Sequence, residues 1–425
     1  MANNFDKNFT TKLAKGVLDA FECARVVSKN VNTQALDGKF NPDSGETVLF
    51  KRPTDYATKR TAKGDISGLG RSDIVRGNAV GTVQDYITVD IDYDEADEAL
   101  KMGNDLPEFY AAIGRRIVTD LETDFASFAM KNCALLAGTP GTAVTTWDHV
   151  AEAGAVLDST GIPKDGRNCY FVNSYTQRKL ASNQRSLGAG GAAGSDIKSS
   201  NDNATIASDF AGMKVMTADT LANYTTDAAA DRAGTLSANP VVTYVGAKDT
   251  MTQQLVVAGL GANAVIAAGE RIQITGRNRL NLATRKQILD ETGAPVLFVG
   301  TVTADVTLDG AGAGTLVVTG PAIFEAGGAY NTVASAPISG DVVTLLGAAD
   351  TIVQPNLFFH KNAFSIGSVP IKKLHSTDTL GMSKDGLQLR CSKYADGDAN
   401  KNIVRFDLRP AYAVLNPFFA GHGHG

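Results

Sequence analysis

The sequence predicts an α+β fold, a mixed helix-and-sheet body carrying an inserted small β-barrel or sandwich. Three observations predict it. Phe109, Ile113, Ile117, Leu121, Phe125 and Phe128 recur every three or four residues, which lays one apolar stripe along a helix. Val83, Ile87, Val89, Ile91 and Tyr93 fall on one face of an alternating run, with Gln84, Tyr86, Thr88, Asp90, Asp92 and Asp94 on the other. From about Gly234 to Asp350 the chain is rich in Val, Thr, Gly and Ala, in short alternating runs separated by turn residues.

Residues 1–45 read as a short amphipathic helix and then an arm. Phe9, Leu13, Val17 and Phe21 keep helical spacing, and Asp37-Gly38 and Asn41-Pro42 are turn signals that end it. Residues 46–94 read as a long two-armed β excursion. Its first arm runs from Glu46 to Arg52, Pro53 closes it, and the alternating run from Val83 returns. Between the arms lies a basic, glycine-rich tip with Lys59, Arg60, Lys63, Arg71 and Arg76. So little apolar material cannot build a core, so such a tip is supported by another molecule or stays mobile.

Within residues 95–146 the helix is expected over 107–136, with Asp105 as cap and Pro107 in the first turn. Its one-sided stripe suits a rod lying on a sheet rather than inside a bundle. Residues 147–233 suggest a compact α/β region: helices from Trp147 to Leu157 and Ser174 to Asn183, and strands from Cys169 to Val172 and Lys214 to Met216. The Gly/Ala/Ser-rich stretch from Gly188 to Ser200 reads as a flexible connection. The inserted domain, 234–352, has strand signals at Val241–Val245, Gln254–Val257, Arg271–Thr275, Val296–Thr303, Gly314–Thr319 and Asp341–Leu346. It also carries a charged loop with Arg277, Arg279, Arg285, Lys286, Asp290 and Glu291. Residues 353–425 return to the body, with a turn at Asp396–Asn400 and a terminal GHGHG that reads as a disordered tail.

At 425 residues the chain has room for two or three domains. A net charge of −5 argues against a general nucleic-acid-binding surface. The four cysteines, Cys23, Cys133, Cys169 and Cys391, form no C-x-x-C pair, so metal and redox spacings are missing and reduced thiols are expected. MANNFDKNFTTKL has no apolar core of a secretory signal, and no run approaches the ~20 apolar residues of a membrane span.

Catalytic and ligand motifs fail on inspection. Gly161–Asn168 has the glycine spacing of a phosphate-binding loop, but Arg167 and Asn168 stand where Lys and Ser/Thr are required. Asp90, Asp92 and Asp94 begin like a calcium loop and then place Glu95 and Lys101 at the glycine and glutamate positions; Asp396, Asp398 and Asn400 fail similarly at Lys401. GAGGAAG, from Gly188 to Gly194, lacks the strand and the acidic ribose partner of a dinucleotide site. His149, His360 and His375 are isolated, and His422 and His424 could take a metal only adventitiously. No catalytic, cofactor-binding or metal residue is expected.

Four segments carry a family resemblance. They are FKRPTDYATKRTAKGDISG (Phe50 to Gly68), RRIVTDLETDFASFAMKNCAL (Arg115 to Leu135), QPNLFFHKNAFSIGSVPIKKLHSTD (Gln354 to Asp378) and RCSKYADGDANKNIVRFDLRPAYAVLNP (Arg390 to Pro417). In order and spacing they resemble the major capsid (coat) proteins of short-tailed double-stranded-DNA bacteriophages. That branch of the Hong Kong 97-type fold carries an insertion domain. The resemblance implies an N-terminal arm (1–45), an extended loop (46–94), a peripheral domain (95–146) with a spine helix (107–136), an axial domain (147–233), the inserted barrel (234–352) and an axial and peripheral return (353–425). It implies homo-hexamers and homo-pentamers in an icosahedral shell, assembled in a bacterial cytoplasm around DNA that is enclosed without sequence-specific binding. Its partners would be a scaffolding protein, a portal protein and, optionally, a decoration protein; no cofactor and no membrane are involved. Maturation would rotate rigid domains. On this reading the basic tip (Lys59, Arg60, Arg71, Arg76) meets acids of a neighbour's spine helix, Asp120, Glu122 or Asp124. The charged loop of the insertion either touches a neighbouring capsomer or supports its own subunit. The alternatives are a phage tail, tube or decoration protein and, resting on Gly161–Asn168, a nucleotide-dependent enzyme.

Overall fold

The computed structural model describes residues 17–22, 24–33, 47–52, 56, 58–69, 74–94, 106–162, 165–187, 200, 202–207, 209–229, 231–369, 371–374, 378–383, 386–396 and 401–425. Phe9, Leu13, Cys23, Arg71, Asp105, the turn residues 397–400 and nearly all of the stretch from Gly188 to Ser200 lie outside them. The chain divides into two compact units. One comprises Met1–Val48, Gly81–Ala126 and Phe364–Ala413; the other Leu49–Val80, Ser127–Ala363 and Val414–Gly425.

The first unit holds a four-stranded antiparallel sheet in the order Thr379–Met382, Gln388–Asp396, Lys401–Leu408, Ile87–Asp94. The face that carries Thr88 is locked at one end by Asp407, a fully buried carboxylate that takes Arg390 at 2.5 Å, Arg405 at 2.7 Å and the Thr88 hydroxyl at 2.7 Å. Burial alone would raise the Asp407 pKa, but these three donors outweigh it and hold the carboxyl below its usual range. Toward the other end of the same face Lys401 and Asp92 form an exposed pair at 2.6 Å, and Asp90 is exposed as well, so these two acids serve a strand, not a calcium loop. Val83 does not belong to this strand. It ends Asn78–Val83, which pairs instead with Pro410–Val414, and the chain changes sheets at the exposed Asp85-Tyr86 bend. Alternation could not reveal that change, because the apolar positions stay in phase across it.

The long helix spans Leu106–Lys131, 26 residues or about 39 Å. Ile113, Ile117, Leu121 and Phe125 of the expected stripe are buried. Phe125 meets Phe364 and Tyr412 edge to face, with ring centroids 6.1 and 5.3 Å apart, so its face does lie on strands. The helix stops five residues before the expected Leu136. Asn132 turns its side-chain amide back onto the Phe128 carbonyl at 2.8 Å, and Ala134 N–H is taken by the carbonyls of Pro417 and Ala420. Leu135–Ala137 then enter a sheet, so tertiary pairing overrides the helical reading of this apolar run.

That sheet, in the second unit, has six strands in the order Leu135–Ala137, Ala420–Gly423, Asn356–His360, Asn168–Val172, Met213–Thr217, Asp209–Phe210. Helices Trp147–Ser159 and Ser174–Leu187 contribute Val150, Leu157 and Leu180 to a core shared with Tyr170, Val172, Met213 and Phe358. The terminal GHGHG is neither disordered nor a metal tail. Ala420–Gly423 is a buried central strand, and two glycines explain how it fits. A Cβ on Gly421 would lie 2.3 Å from the Phe358 ring, and one on Gly423 would lie 2.3 Å from the Tyr170 hydroxyl.

The inserted domain is a closed six-stranded barrel in the order Thr252–Ala258, Gly314–Thr319, Leu297–Val302, Arg271–Asn278, Val342–Leu345, Ala233–Leu236. Leu255, Ile272, Ile274, Phe298, Leu316 and Val343 fill it. The run Val241–Val245 forms no strand. Thr243 accepts the Gly246 N–H and starts the short helix Tyr244–Ala247, leaving Val241 and Val245 exposed.

Candidate assembly interface

The extended loop is held at its root and open at its tip. Arg52 is buried, donates to the carbonyls of Leu415, Val414 and Asp249, and has its pKa lowered to about 10 by burial. Asp249 also accepts the Asn78 N–H at 2.9 Å, and Gly77 packs so closely on Lys248 that a Cβ would fall 2.3 Å from its carbonyl oxygen. Beyond this clamp, residues 58–69 are exposed almost throughout. Local turns give the tip its shape: Asp65 accepts the N–H and hydroxyl of Ser67, and Leu69 N–H returns to Ile66. Lys59, Arg60 and Arg76 point to solvent. So do Tyr56, Ile66, Leu69 and Ile74, at 50%, 55%, 43% and 70% exposure, apolar surface that reading the tip as purely basic overlooked.

The three candidate acids of the long helix have different fates. Asp120 forms an exposed pair with Arg116 at 3.1 Å. Asp124 is exposed, yet partial burial and then the neighbouring Asp120 raise its pKa. Glu122 is not available to a neighbour. It is 2% exposed and accepts the backbone N–H groups of Val27 and Ser28 at 2.7 and 3.0 Å, together with the Ser28 hydroxyl. Arg25 completes the clasp through Ser28. Helical residues 17–22 cross the same helix at Gly114, where a Cβ would be 2.8 Å from the Val17 carbonyl oxygen. Identity and spacing could not separate Glu122 from Asp120 and Asp124, because its partner is backbone about 95 residues away.

The charged loop of the insertion is likewise split. Arg277 is bound to Asp341 at 2.5 Å and to Ser335, inside the barrel domain. Arg279 is buried and reaches the Thr160 hydroxyl at 2.9 Å, while Leu282 N–H and the Asn281 amide take the carbonyls of Thr160 and Ser159. Arg285 donates to the Asn331 carbonyl. This base therefore supports its own subunit, whereas Asp290, in a self-closed turn with Thr292, and Glu291 are exposed.

The phosphate-loop alternative is not supported by the local geometry. Asp165 caps the Arg167 N–H and pairs with buried His360 at 2.9 Å, an ordinary turn tied to a strand. Among the described residues no three His, Cys, Asp or Glu side chains group to hold a metal, and no helix is long and apolar enough to cross a membrane. Cys133, Cys169 and Cys391 are buried free thiols whose pKa values burial raises to about 12, 11 and 12, the reverse of a reactive nucleophile.

The family model described as P22 coat protein, gene protein 5, matches residues 1–424. This chain belongs to that family. It is 35% identical over 430 residues, the whole of both chains, to the major capsid protein of Acyrthosiphon pisum secondary endosymbiont phage 1. Among solved structures it is similar to Mycobacterium phage Che8, at TM-score 0.48 and 12% identity over 93% of this chain and 90% of that one. It is also similar to the capsid of Cyanophage P-SCSP1u, at TM-score 0.43 and 11% identity over 89% and 83%. The chain is thus a phage major capsid protein, a structural component of a virion shell built from many copies of itself and not an enzyme. Family membership removes the tail, tube and decoration alternatives.

Proposed function

We propose that this subunit forms the hexamers and pentamers of an icosahedral, Hong Kong 97-type shell around the double-stranded DNA of a tailed phage. The observation that carries the reading is the extended loop, clamped at Arg52 and Gly77 but exposed over 58–69, with both charge and apolar side chains facing outward. A segment built this way gains its burial from another subunit. Its basic residues Lys59, Arg60, Arg71 and Arg76 meet Asp120 and Asp124 on a neighbour's long helix; Glu122 drops out of that set because its own chain occupies it. Many weak contacts of this kind, repeated over a closed lattice, give a stable shell whose early errors still dissociate. Assembly takes place in the host cytoplasm with a scaffolding protein and a portal, and maturation rotates rigid domains. A decoration protein is an optional further partner, and the exposed tip at Asp290 and Glu291 is the insertion's candidate contact with a neighbouring capsomer.

Charge reversal tests the loop. Arg60→Glu with Arg71→Glu should abolish closed particles in electron micrographs while leaving subunit melting unchanged, and Asp120→Lys with Asp124→Lys should restore particles to the reversed loop. Normal shells from the loop variant alone would refute the pairing.

A further inference from the structure

The strand Ala420–Gly423 and the extended residue after it set His422 and His424 on one face, opposite the crowded Gly421 and Gly423. Both rings are buried, at 0% and 2% exposure, with centroids 6.2 Å apart. His422 Nε2 lies 2.8 Å from the Met130 carbonyl. A carbonyl can only accept, so Nε2 carries the proton and Nδ1 is a bare acceptor. That Nδ1 and the Nε2 of His424 have no hydrogen-bond partner among the described residues. Arg271, fully buried, reaches in from the barrel and donates to the carbonyls of Cys133 and Leu135 and to Thr301. Other titratable groups near the pair are Cys133, Tyr170 two strands away in the same sheet, Tyr224 beside Met130, and Glu152 and His149 on helix Trp147–Ser159. Glu152 accepts the Gly138 N–H, and His149 lies beside Gly425. No carboxylate bonds either imidazole among the described residues.

We propose that His422 and His424 make this central strand a proton-operated clasp, closed while both rings are neutral and released when either takes up a proton beside Arg271. Uptake puts a second positive charge into a buried site that already holds one guanidinium, with no bonded anion to balance it. The same guanidinium excludes a cation, so the H-x-H spacing is not a metal site. Burial first, and Arg271 second, push the His424 pKa down to about 3; burial, Arg271 and His424 lower that of His422 despite the Met130 bond. A histidine whose folded pKa is depressed favours the closed strand fully above its free value near 6.5. That preference fades as pH falls from there toward the folded value. The clasp is independent of the loop pairing proposed above.

Hydrogen exchange of the full-length chain from pH 7 to 4.5 tests it, comparing wild type with His422→Gln/His424→Gln at each pH so that intrinsic exchange rates cancel. Glutamine can still donate to the Met130 carbonyl but cannot be protonated in this range. Opening at Gly421–Gly423 and Leu135–Ala137 should rise in wild type relative to the variant by up to about tenfold per pH unit for each histidine. Amides of Leu255 and Phe298 in the barrel should not follow. If the variant does not fold, the wild-type ratio of strand to barrel opening decides: a ratio that climbs below pH 6.5 supports the clasp. A ratio flat with pH, in either comparison, overturns it.

Discussion

Phe298 in the inserted barrel and Ile66 in the extended loop are both large apolar side chains, yet one is 1% exposed and the other 55%. The barrel closes six strands through neighbours no more than about 110 residues apart in sequence and fills the interior with its own Leu, Ile, Val and Phe. The loop has a clamped root, two local turns and a tip whose described residues are exposed almost throughout. The difference teaches where each segment finds its stability: the barrel within one chain, the loop in the lattice.

Truncation should expose that contrast most strongly. Phe298→Ala should cost about 3–5 kcal/mol in calorimetric unfolding of the subunit, since it opens a cavity in a packed core. Loss of less than about 1 kcal/mol would mean that the barrel draws on its surroundings as the loop does. Arg271→Met comes next. Its guanidinium satisfies two carbonyls and one hydroxyl, so the variant should lose about 2 kcal/mol, part of the cost being offset by removal of a buried charge. Unchanged stability in urea unfolding would show that the anchor is dispensable. Smallest is Ile66→Ala, expected within about 0.5 kcal/mol of wild type as a free subunit but with fewer or less stable particles by electron microscopy. A clear drop in subunit melting would reveal a contact of the tip with its own chain.

Much of this architecture was legible because it rests on local period. The helix stripe, the alternating strand at Ile87 and five of the six expected insertion runs reflect side chains that must share a face. What escaped depends on partners distant in sequence. The helix ends at Lys131 because Pro417 and Ala420 claim Ala134. Glu122 is indistinguishable from Asp120 until residues 27–28 are seen to sit on it. GHGHG looks like a tail by composition, and only the rings of Phe358 and Tyr170 explain why that strand needs glycine at 421 and 423. Ala233–Leu236, which closes the barrel, was hidden by its shortness, and Val241–Val245 was misread because a cap at Thr243 overrode β propensity.

The order of strands in the six-stranded sheet also bears on synthesis. Leu135–Ala137 joins it only through Ala420–Gly423, some 285 residues later in the chain. A ribosome adding roughly 5–20 residues per second needs about 15–60 s to cover that distance. Through that interval the barrel can already close, since its strands all lie between Ala233 and Leu345, while the edge strand waits unpaired. A chain released early therefore carries a finished barrel on an unfinished body, and only a chain that has reached Ala420–Gly423 presents this sheet complete.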